Sequence, residues 1–235
     1  MKILALETSA VTASVAVTED EKLLAQSFQN SGLTHSVTLM PMVSDLLKNT
    51  GLKLEDMDVI AVSAGPGSFT GIRIGVAAAK GLAWPGDKLC APCSTLESMA
   101  WQCAHMDGEI CAAMDARRKQ VYNARFLVCD GTLERLSEDR AIAVEELLEE
   151  VKQSGKRQIL VGDGAQLCAA AFEEAGVPYV MAPPHLICQS AWGVARAALE
   201  LARADKLVPA GQLTPEYHRL SQAERERLER ETKES

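Results

Sequence analysis

The spacing of apolar and polar positions divides the chain into short strands alternating with helices. Residues 3–7, 13–18 and 23–29 are β-type runs joined by turn residues. Residues 34–49 carry apolar side chains at Val37, Met40, Val43 and Leu47, with Leu39, Met42 and Leu46 alongside, a broad stripe at helical spacing. Pro41 lies inside this helix and lacks an amide donor, so it is predicted to kink the helix or mark its true first turn. A strand over 58–63, a glycine-rich segment, a helix over 71–84, a short strand over 88–91 and a helix over 94–104 follow, the last capped by Ser94 or Thr95. The pattern then restarts. Strand-like runs cover 110–114, 120–128 and 133–143, followed by a helix over 144–153, a strand over 158–161, a helix over 165–175, a short strand over 179–180 and an alanine-rich helix over 190–204. The order strand-strand-strand-helix-strand-helix-strand-helix occurs twice, which predicts two similar α/β lobes, each a mixed sheet covered by helices. The lobes are read as 1–105 and 106–205, the last helix packing back at their junction. Residues 206–235 read as a charged tail; within it Glu226 with Arg230 and Glu229 with Lys233 sit at helix-stabilising spacing.

Composition narrows the class. The 235 residues are 47% hydrophobic and 24% charged, ordinary for a soluble globular protein with ample core. A net charge of -8 argues against free-standing binding to nucleic-acid phosphates. The compact basic run Arg117-Arg118-Lys119 reads as a solvated hairpin turn, with a minor RNA or partner contact as the alternative. Residues 1–7 read as a strand, not a secretory leader, and no segment has the length and apolarity of a membrane span. Seven scattered cysteines suggest reduced thiols in a cytoplasm. Cys90-Ala91-Pro92-Cys93 is read as a pair of buried thiols, against a redox pair or half a zinc site. Trp84, Trp101 and Trp192 read as core or lobe-junction aromatics.

The most unusual stretch is Gly65-Pro66-Gly67-Ser68-Phe69-Thr70-Gly71-Ile72-Arg73-Ile74-Gly75, four glycines in eleven residues between a strand and a helix. Such an arrangement is a common anion cradle. A P-loop would need a lysine after its last glycine, a dinucleotide fingerprint a third glycine at Thr70, and a nucleophile elbow one residue between Gly67 and Ser68. All three fail. Two readings stay open: loop amides that hold an anion, or glycines that serve packing. Gly71, Gly75, Ala79 and Leu82 lie near one helix face, suited to close approach either by this chain's own sheet or by a partner.

The segment from Ser63 through Gly75, followed by Ala77-Ala78-Ala79-Lys80-Gly81-Leu82-Ala83, resembles the TsaB (YeaZ) family of tRNA threonylcarbamoyladenosine biosynthesis proteins. The resemblance extends to Leu4-Ala5-Leu6-Glu7-Thr8-Ser9, Thr34-His35-Ser36, Ser94-Thr95-Leu96-Glu97, Met114-Asp115-Ala116-Arg117-Arg118-Lys119-Gln120-Val121-Tyr122 and Pro215-Glu216-Tyr217-His218-Arg219. It implies the two-lobed actin-like, sugar kinase and Hsp70 ATPase (ASKHA) fold, built from duplicated βββαβαβα units. It also implies a cytoplasmic, non-catalytic subunit that pairs with the homologous catalytic subunit TsaD and with the ATPase TsaE. That complex transfers a threonylcarbamoyl group to the adenosine 3′ of the anticodon in ANN-decoding tRNAs, so tRNA would be met only through the complex.

Several departures bear on chemistry. The catalytic relative holds a metal through two histidines four apart on its first helix; here Leu39 stands four residues after His35, which is read as a cap-region or surface residue. His105, His185 and His218 are isolated in sequence, and no metal site or catalytic residue is assigned. The phosphate turns implied by the fold are Glu7-Thr8-Ser9 and Asp115-Ala116-Arg117, with Ser9 and Arg117 where a kinase has glycine. Gly162-Asp163-Gly164-Ala165 resembles an adenosine-side loop, and is read as a strand-to-helix turn. The chain is therefore expected to have no cofactor of its own. A nucleotide or anion shared at the junction with TsaD is compatible with the resemblance, and would meet Glu7, Thr8, Ser9, Gly65, Gly67 and Ser68. The expected partner face is the first two helices, through Val37, Met40, Val43, Leu47, Gly71, Ile72, Gly75, Val76, Ala79 and Leu82. Without TsaD the same face can pair with itself. The competing readings are a small-molecule kinase or metallopeptidase-like enzyme of the same fold, and a thiol-redox module.

Overall fold

The structure is a computed structural model that describes residues 1–218. Strands β1 (Lys2–Glu7), β2 (Ala13–Glu19) and β3 (Lys22–Gln29) form an antiparallel meander, and helix α1 (His35–Thr50) follows. Then come β4 (Val59–Gly65), α2 (Phe69–Ala83), β5 (Leu89–Ser94) and α3 (Thr95–Gln102). β4 joins β1 and β5 joins β4, both parallel. The second half contains β6 (Gly108–Asp115), β7 (Gln120–Cys129), β8 (Thr132–Arg135), β9 (Arg140–Ala143), α4 (Val144–Ser154), β10 (Gln158–Val161), α5 (Ala165–Glu174), β11 (Tyr179–Met181), α6 (Ala191–Arg203) and β12 (Val208–Pro209). The one strand expected over 133–143 is two, β8 and β9, both paired with β7.

The first sheet has the order β12-β5-β4-β1-β2-β3, and the second β11-β10-β6-β7-β8 with β9 beside β7. Strands β1 and β4 are buried along nearly their whole length because helices cover both faces of the sheet. Leu4 and Leu6 point to the α1 and α2 side; Ile3 and Ala5 point to α6. In the second lobe α4 and α5 cover one face, whereas α3 covers the other. The boundary expected at 105 is therefore exchanged in space: α3 packs on the second sheet and α6 returns to the first. The two helices pack on each other, and Gly193 of α6 permits it, since a Cβ there would overlap the Ser98 carbonyl oxygen. At the same junction the Ser94 hydroxyl donates to Asp139, and Arg135 donates to both Asp139 and Glu97, at 2.6 and 2.7 Å.

The expected tail over 206–235 divides. Its first part belongs to the first lobe: β12 pairs antiparallel with β5, and Leu213 is fully buried in that core. The charged stretch over 222–235 lies outside the described residues. Pro41 sits within an unbroken α1, on its exposed side.

Candidate functional site

The glycine-rich segment is built against two other pieces of chain. β1 ends at Glu7, and the turn into β2 puts the Ser9 N–H on a Glu7 carboxylate oxygen at 2.6 Å, while the Ser63 hydroxyl donates to the other. Glu7 is fully buried, and that burial pushes its pKa up, against the opposing hydrogen bonds from Ser63 and Ser9. The Ser68 N–H donates to the Ser9 carbonyl at 2.6 Å, the Thr8 hydroxyl donates to the Gly71 carbonyl at 2.8 Å, and Ser68 caps α2 by accepting from the Gly71 N–H.

Each of the four glycines meets this chain's own atoms. A Cβ on Gly67 would stand 2.8 Å from Ser9 Cβ, and one on Gly71 would overlap the Thr8 carbonyl oxygen. One on Gly75 would stand 2.5 Å from Thr8 Oγ1 and 3.1 Å from a Val62 methyl. Gly65 (φ 147°) lies against the Glu216 carbonyl, and the Glu216 N–H donates to the Ala64 carbonyl at 2.8 Å. Gly65-Pro66 is a cis peptide bond. Of the two readings left open, packing is the one the geometry fits: the space beside these glycines is filled by the β1–β2 turn and by a C-terminal strap, residues 213–218.

This corrects part of the expected partner face. Gly71, Ile72, Gly75, Val76, Ala79 and Leu82 are buried against the first sheet, as is Val43 of α1. A partner cannot reach side chains that already form the core. Val37 and Met40 are exposed, at 64% and 45%, and Leu47 is half-buried against the core. The outward side of α2 instead carries Arg73, Ala77 and Gly81, with Trp84 just beyond the helix, flanked by the half-buried Ile74 and Ala78. Trp84 is 71% exposed, where a core or lobe-junction aromatic was expected; Trp101 is half-buried beside the α6 core and carries the Arg196 guanidinium 4.9 Å from its ring.

Between the lobes lies a cleft of about 440 Å³. Ser9, Gly67 and Ser68 line it; Glu7, Thr8 and Gly65 sit behind that wall. The second lobe supplies Asp115, Arg117 and Asp163, and the strap supplies Tyr217. The Arg117 N–H donates to Asp115 Oδ1 at 2.7 Å, matching the bond from Ser9 to Glu7 in the first lobe. Arg117, Arg118 and Lys119 all take left-handed backbone angles, so the basic run is a tight hairpin turn at the cleft edge. The Asp163 carboxyl is pushed up by burial, although it accepts a 2.7 Å hydrogen bond from Gln189. A Cβ on Gly162 or Gly164 would collide with the backbone of residues 113–115, which makes that loop a close-packed strand-to-helix turn.

Cys90 and Cys93 share β5 but face opposite sides of the sheet, one in the α1–α2 core and the other in the α6 core. Residues three apart on a strand point away from each other, so the pair cannot close a disulfide. Burial pushes the Cys90 thiol up to about 11 and also raises Cys93 well above its ordinary range. His35 opens α1 and its Nε2 meets the Ala10 carbonyl at 2.7 Å. Among the described residues, no three His, Cys, Asp or Glu side chains gather as metal ligands, and no helix is long and apolar enough to cross a membrane.

Comparison with known proteins places this arrangement. A family model described as "TsaD: tRNA N6-adenosine threonylcarbamoyltransferase" matches residues 23–227. The chain is 34% identical to the tRNA threonylcarbamoyladenosine biosynthesis protein TsaB of Bacillus subtilis, over 97% of this chain and 99% of that protein. It is 31% identical to TsaB of Escherichia coli, over 93% and 95%. The chain belongs to the TsaB (YeaZ) family. YeaZ from Pseudomonas aeruginosa superimposes with a TM-score of 0.77 at 25% identity, covering 92% of this chain and 99% of that one. The fold is accordingly the duplicated two-lobed α/β fold expected from the element order.

Two features of this region escaped the sequence reading. The segment Pro215-Glu216-Tyr217-His218 was assigned to a tail, yet Glu216 closes on Gly65, and Tyr217 stacks on Phe69 with centroids 5.0 Å apart. The signal available was the buried-type Leu213 beside the motif residues. The outward stripe of α2 was also missed, because small residues occur on both sides of that helix and spacing alone does not say which side faces the sheet.

Proposed function

We propose that this chain is a non-catalytic dimerisation and activating subunit in tRNA N6-threonylcarbamoyladenosine formation. In this reading it pairs with a TsaD-type catalytic subunit, works with the ATPase TsaE, and meets tRNA only through the complex in the cytoplasm. The observation that carries the proposal is the occupied first-lobe turn. The atoms that would cradle a phosphate there bond instead to Glu7, Ser9 and Ser68, and the adjoining glycines are packed shut. What remains exposed on the same lobe is a helix pair with Val37 and Met40 on α1 and with Ala77 and Gly81 on α2, and Trp84 beside them. Two such helices from each subunit would make a four-helix interface, and in TsaD's absence the same face would pair two copies of this chain. The isolated chain is expected to bind nucleotide weakly; a nucleotide shared with TsaD would approach from the cleft side, at Ser9, Gly67 and Ser68.

The test is reconstitution of threonylcarbamoyl transfer with TsaD, TsaE, the threonylcarbamoyl adenylate and tRNA, with this chain included or omitted. Transfer should require it. Met40→Glu and Ala77→Arg, both on exposed positions, should abolish co-purification with TsaD while leaving the unfolding midpoint unchanged. Retained binding in both variants would overturn the docking face. Turnover of ATP or peptide by the purified chain, lost on Asp115→Asn, would establish the kinase or peptidase reading instead.

A further inference from the structure

The strap meets the proposed docking helix at one small cluster. Phe69 opens α2 and Tyr217 lies near the end of the strap, and both line the interlobe cleft. Their rings stack with planes 28° apart. Arg73, one turn further along α2 on its exposed side, lays its guanidinium 3.8 Å from the Phe69 centroid and 5.7 Å from that of Tyr217. Its Nε–H donates to the Tyr217 hydroxyl at 2.7 Å. The strap cannot slide upstream of this point, because Leu213 is fully buried and Glu216 is bonded to Ala64 and seated on Gly65. Tyr217, at 45% exposure, is therefore fixed from one side by its own backbone and from the other by α2.

We propose that Arg73, Phe69 and Tyr217 form a clamp that sets the first turn of α2 for partner docking, which makes the strap a working part of the interface. The inference rests on the docking face proposed above. Arg73 begins the outward stripe that runs through Ala77 and Gly81 to Trp84. An arginine held by both an aromatic face and a hydroxyl has already lost much of its rotamer freedom, so less is lost on association. Arginine, tyrosine and tryptophan are the side chains that most often dominate interface energetics. The Arg73 Nε–H is used within the clamp, and the Nη groups are the donors assigned to a carboxylate of the partner. The clamp also ties the cleft wall to the docking face, since Tyr217 belongs to both.

The experiment is a titration of TsaD against the full-length chain and its Arg73→Ala, Tyr217→Ala and Tyr217→Phe variants, with thermal unfolding measured on each. Arg73→Ala and Tyr217→Ala should weaken Kd roughly tenfold, and Tyr217→Phe, which keeps the stack and loses the hydroxyl, about threefold. The Arg73→Ala, Tyr217→Phe double variant should be no weaker than Arg73→Ala by itself. With 3-fluorotyrosine incorporated, the fluorine resonance missing from Tyr217→Phe should shift when TsaD is added and again in Arg73→Ala. If Ala77→Arg abolishes binding while the clamp variants bind like the parent and that resonance stays still, the clamp is wrong and the docking face stands. If the parent chain does not bind TsaD, the docking face falls and the clamp falls with it.

Discussion

In the first lobe the turn between β1 and β2 places the Ser9 N–H on Glu7 at 2.6 Å; in the second, the turn between β6 and β7 places the Arg117 N–H on Asp115 at 2.7 Å. The local hydrogen bond is the same, and so is the strand order around it. Glycines pack the backbone of both turns, Gly67 and Gly71 in the first and Gly164 in the second, but the side chains differ in exposure. Glu7, Thr8 and Ser9 are fully buried beneath Gly67, Gly71 and Gly75, whereas Asp115 and Arg117 stand exposed at the cleft edge. A duplicated unit has thus been put to two uses. One copy is a wedge that holds α2 in place, and the other keeps an open turn. What sets the first lobe apart is the row of glycines along α2 and the strap beside Gly65.

The strongest way to break the contrast is to restore a side chain under the wedge. Gly71→Val would drive a methyl-bearing Cβ into the Thr8 carbonyl, where backbone must move on both sides. The expected cost is about 3 kcal/mol or more, at or beyond the upper end of ordinary overpacking because the obstacle is backbone. Gly81→Ala, on the same helix with nothing within 4 Å of its would-be Cβ, should instead stabilise by about 0.5–1 kcal/mol. Urea unfolding of the two variants measures both. Equal effects would mean that α2 does not sit on Thr8 as described.

The buried carboxyl gives a second, smaller difference. Burial raises the Glu7 pKa above its ordinary value of 4.5, so the folded chain holds that proton more tightly than the unfolded chain does. Stability from this group is therefore complete below pH 4.5 and declines as pH rises through the folded pKa, with a limiting slope of about 1.4 kcal/mol per pH unit for one proton. Glu7→Gln keeps groups able to bond Ser9 and Ser63 and should flatten that decline. Asp163, also raised by burial, contributes the same sign in the second lobe, so the slope should shrink without vanishing. Unfolding free energies across pH 4.5–8 with an unchanged slope in Glu7→Gln would show that Glu7 is not titrating in a buried site.

Most of the fold was legible because its strands and helices differ in apolar period and recur in the same order. The boundaries of β10 (Gln158–Val161) and α5 (Ala165–Glu174) follow directly from a short apolar run and a Gly-Asp-Gly turn. The site was less legible for a physical reason. Glycine spacing reports that something comes close, but not what: a phosphate, a partner helix and this chain's own Thr8 all ask for the same missing Cβ. The contacts that decide the matter join residues far apart in sequence, Gly71 to Thr8 and Gly65 to Glu216, and no local pattern encodes such pairs. The strand expected over 88–91 stops short of Cys93; β5 runs on through it, and only then does strand alternation separate Cys90 from Cys93.

The finest test compares one substitution at equivalent turn positions. Arg117 has φ of 66°, a conformation that costs a non-glycine residue roughly 1–2 kcal/mol. Glycine relieves that cost and gives back about 0.5–1 kcal/mol through a more flexible unfolded chain. The Arg117–Asp115 ion pair, 3.6 Å apart with the arginine side chain 85% exposed, subtracts little when removed. Arg117→Gly should therefore be neutral to stabilising, raising the unfolding midpoint by a degree or a few, of order 4 °C at most for about 1 kcal/mol in a chain this long. Ser9 is not among the residues with positive φ, and its carbonyl is held by the Ser68 N–H. Ser9→Gly relieves no strain and loosens the wedge, so it should lower the midpoint by a similar amount. Opposite signs in paired thermal melts would mark the first turn as scaffold and the second as an adaptable edge. The same sign in both would mean that the two turns are still doing the same job.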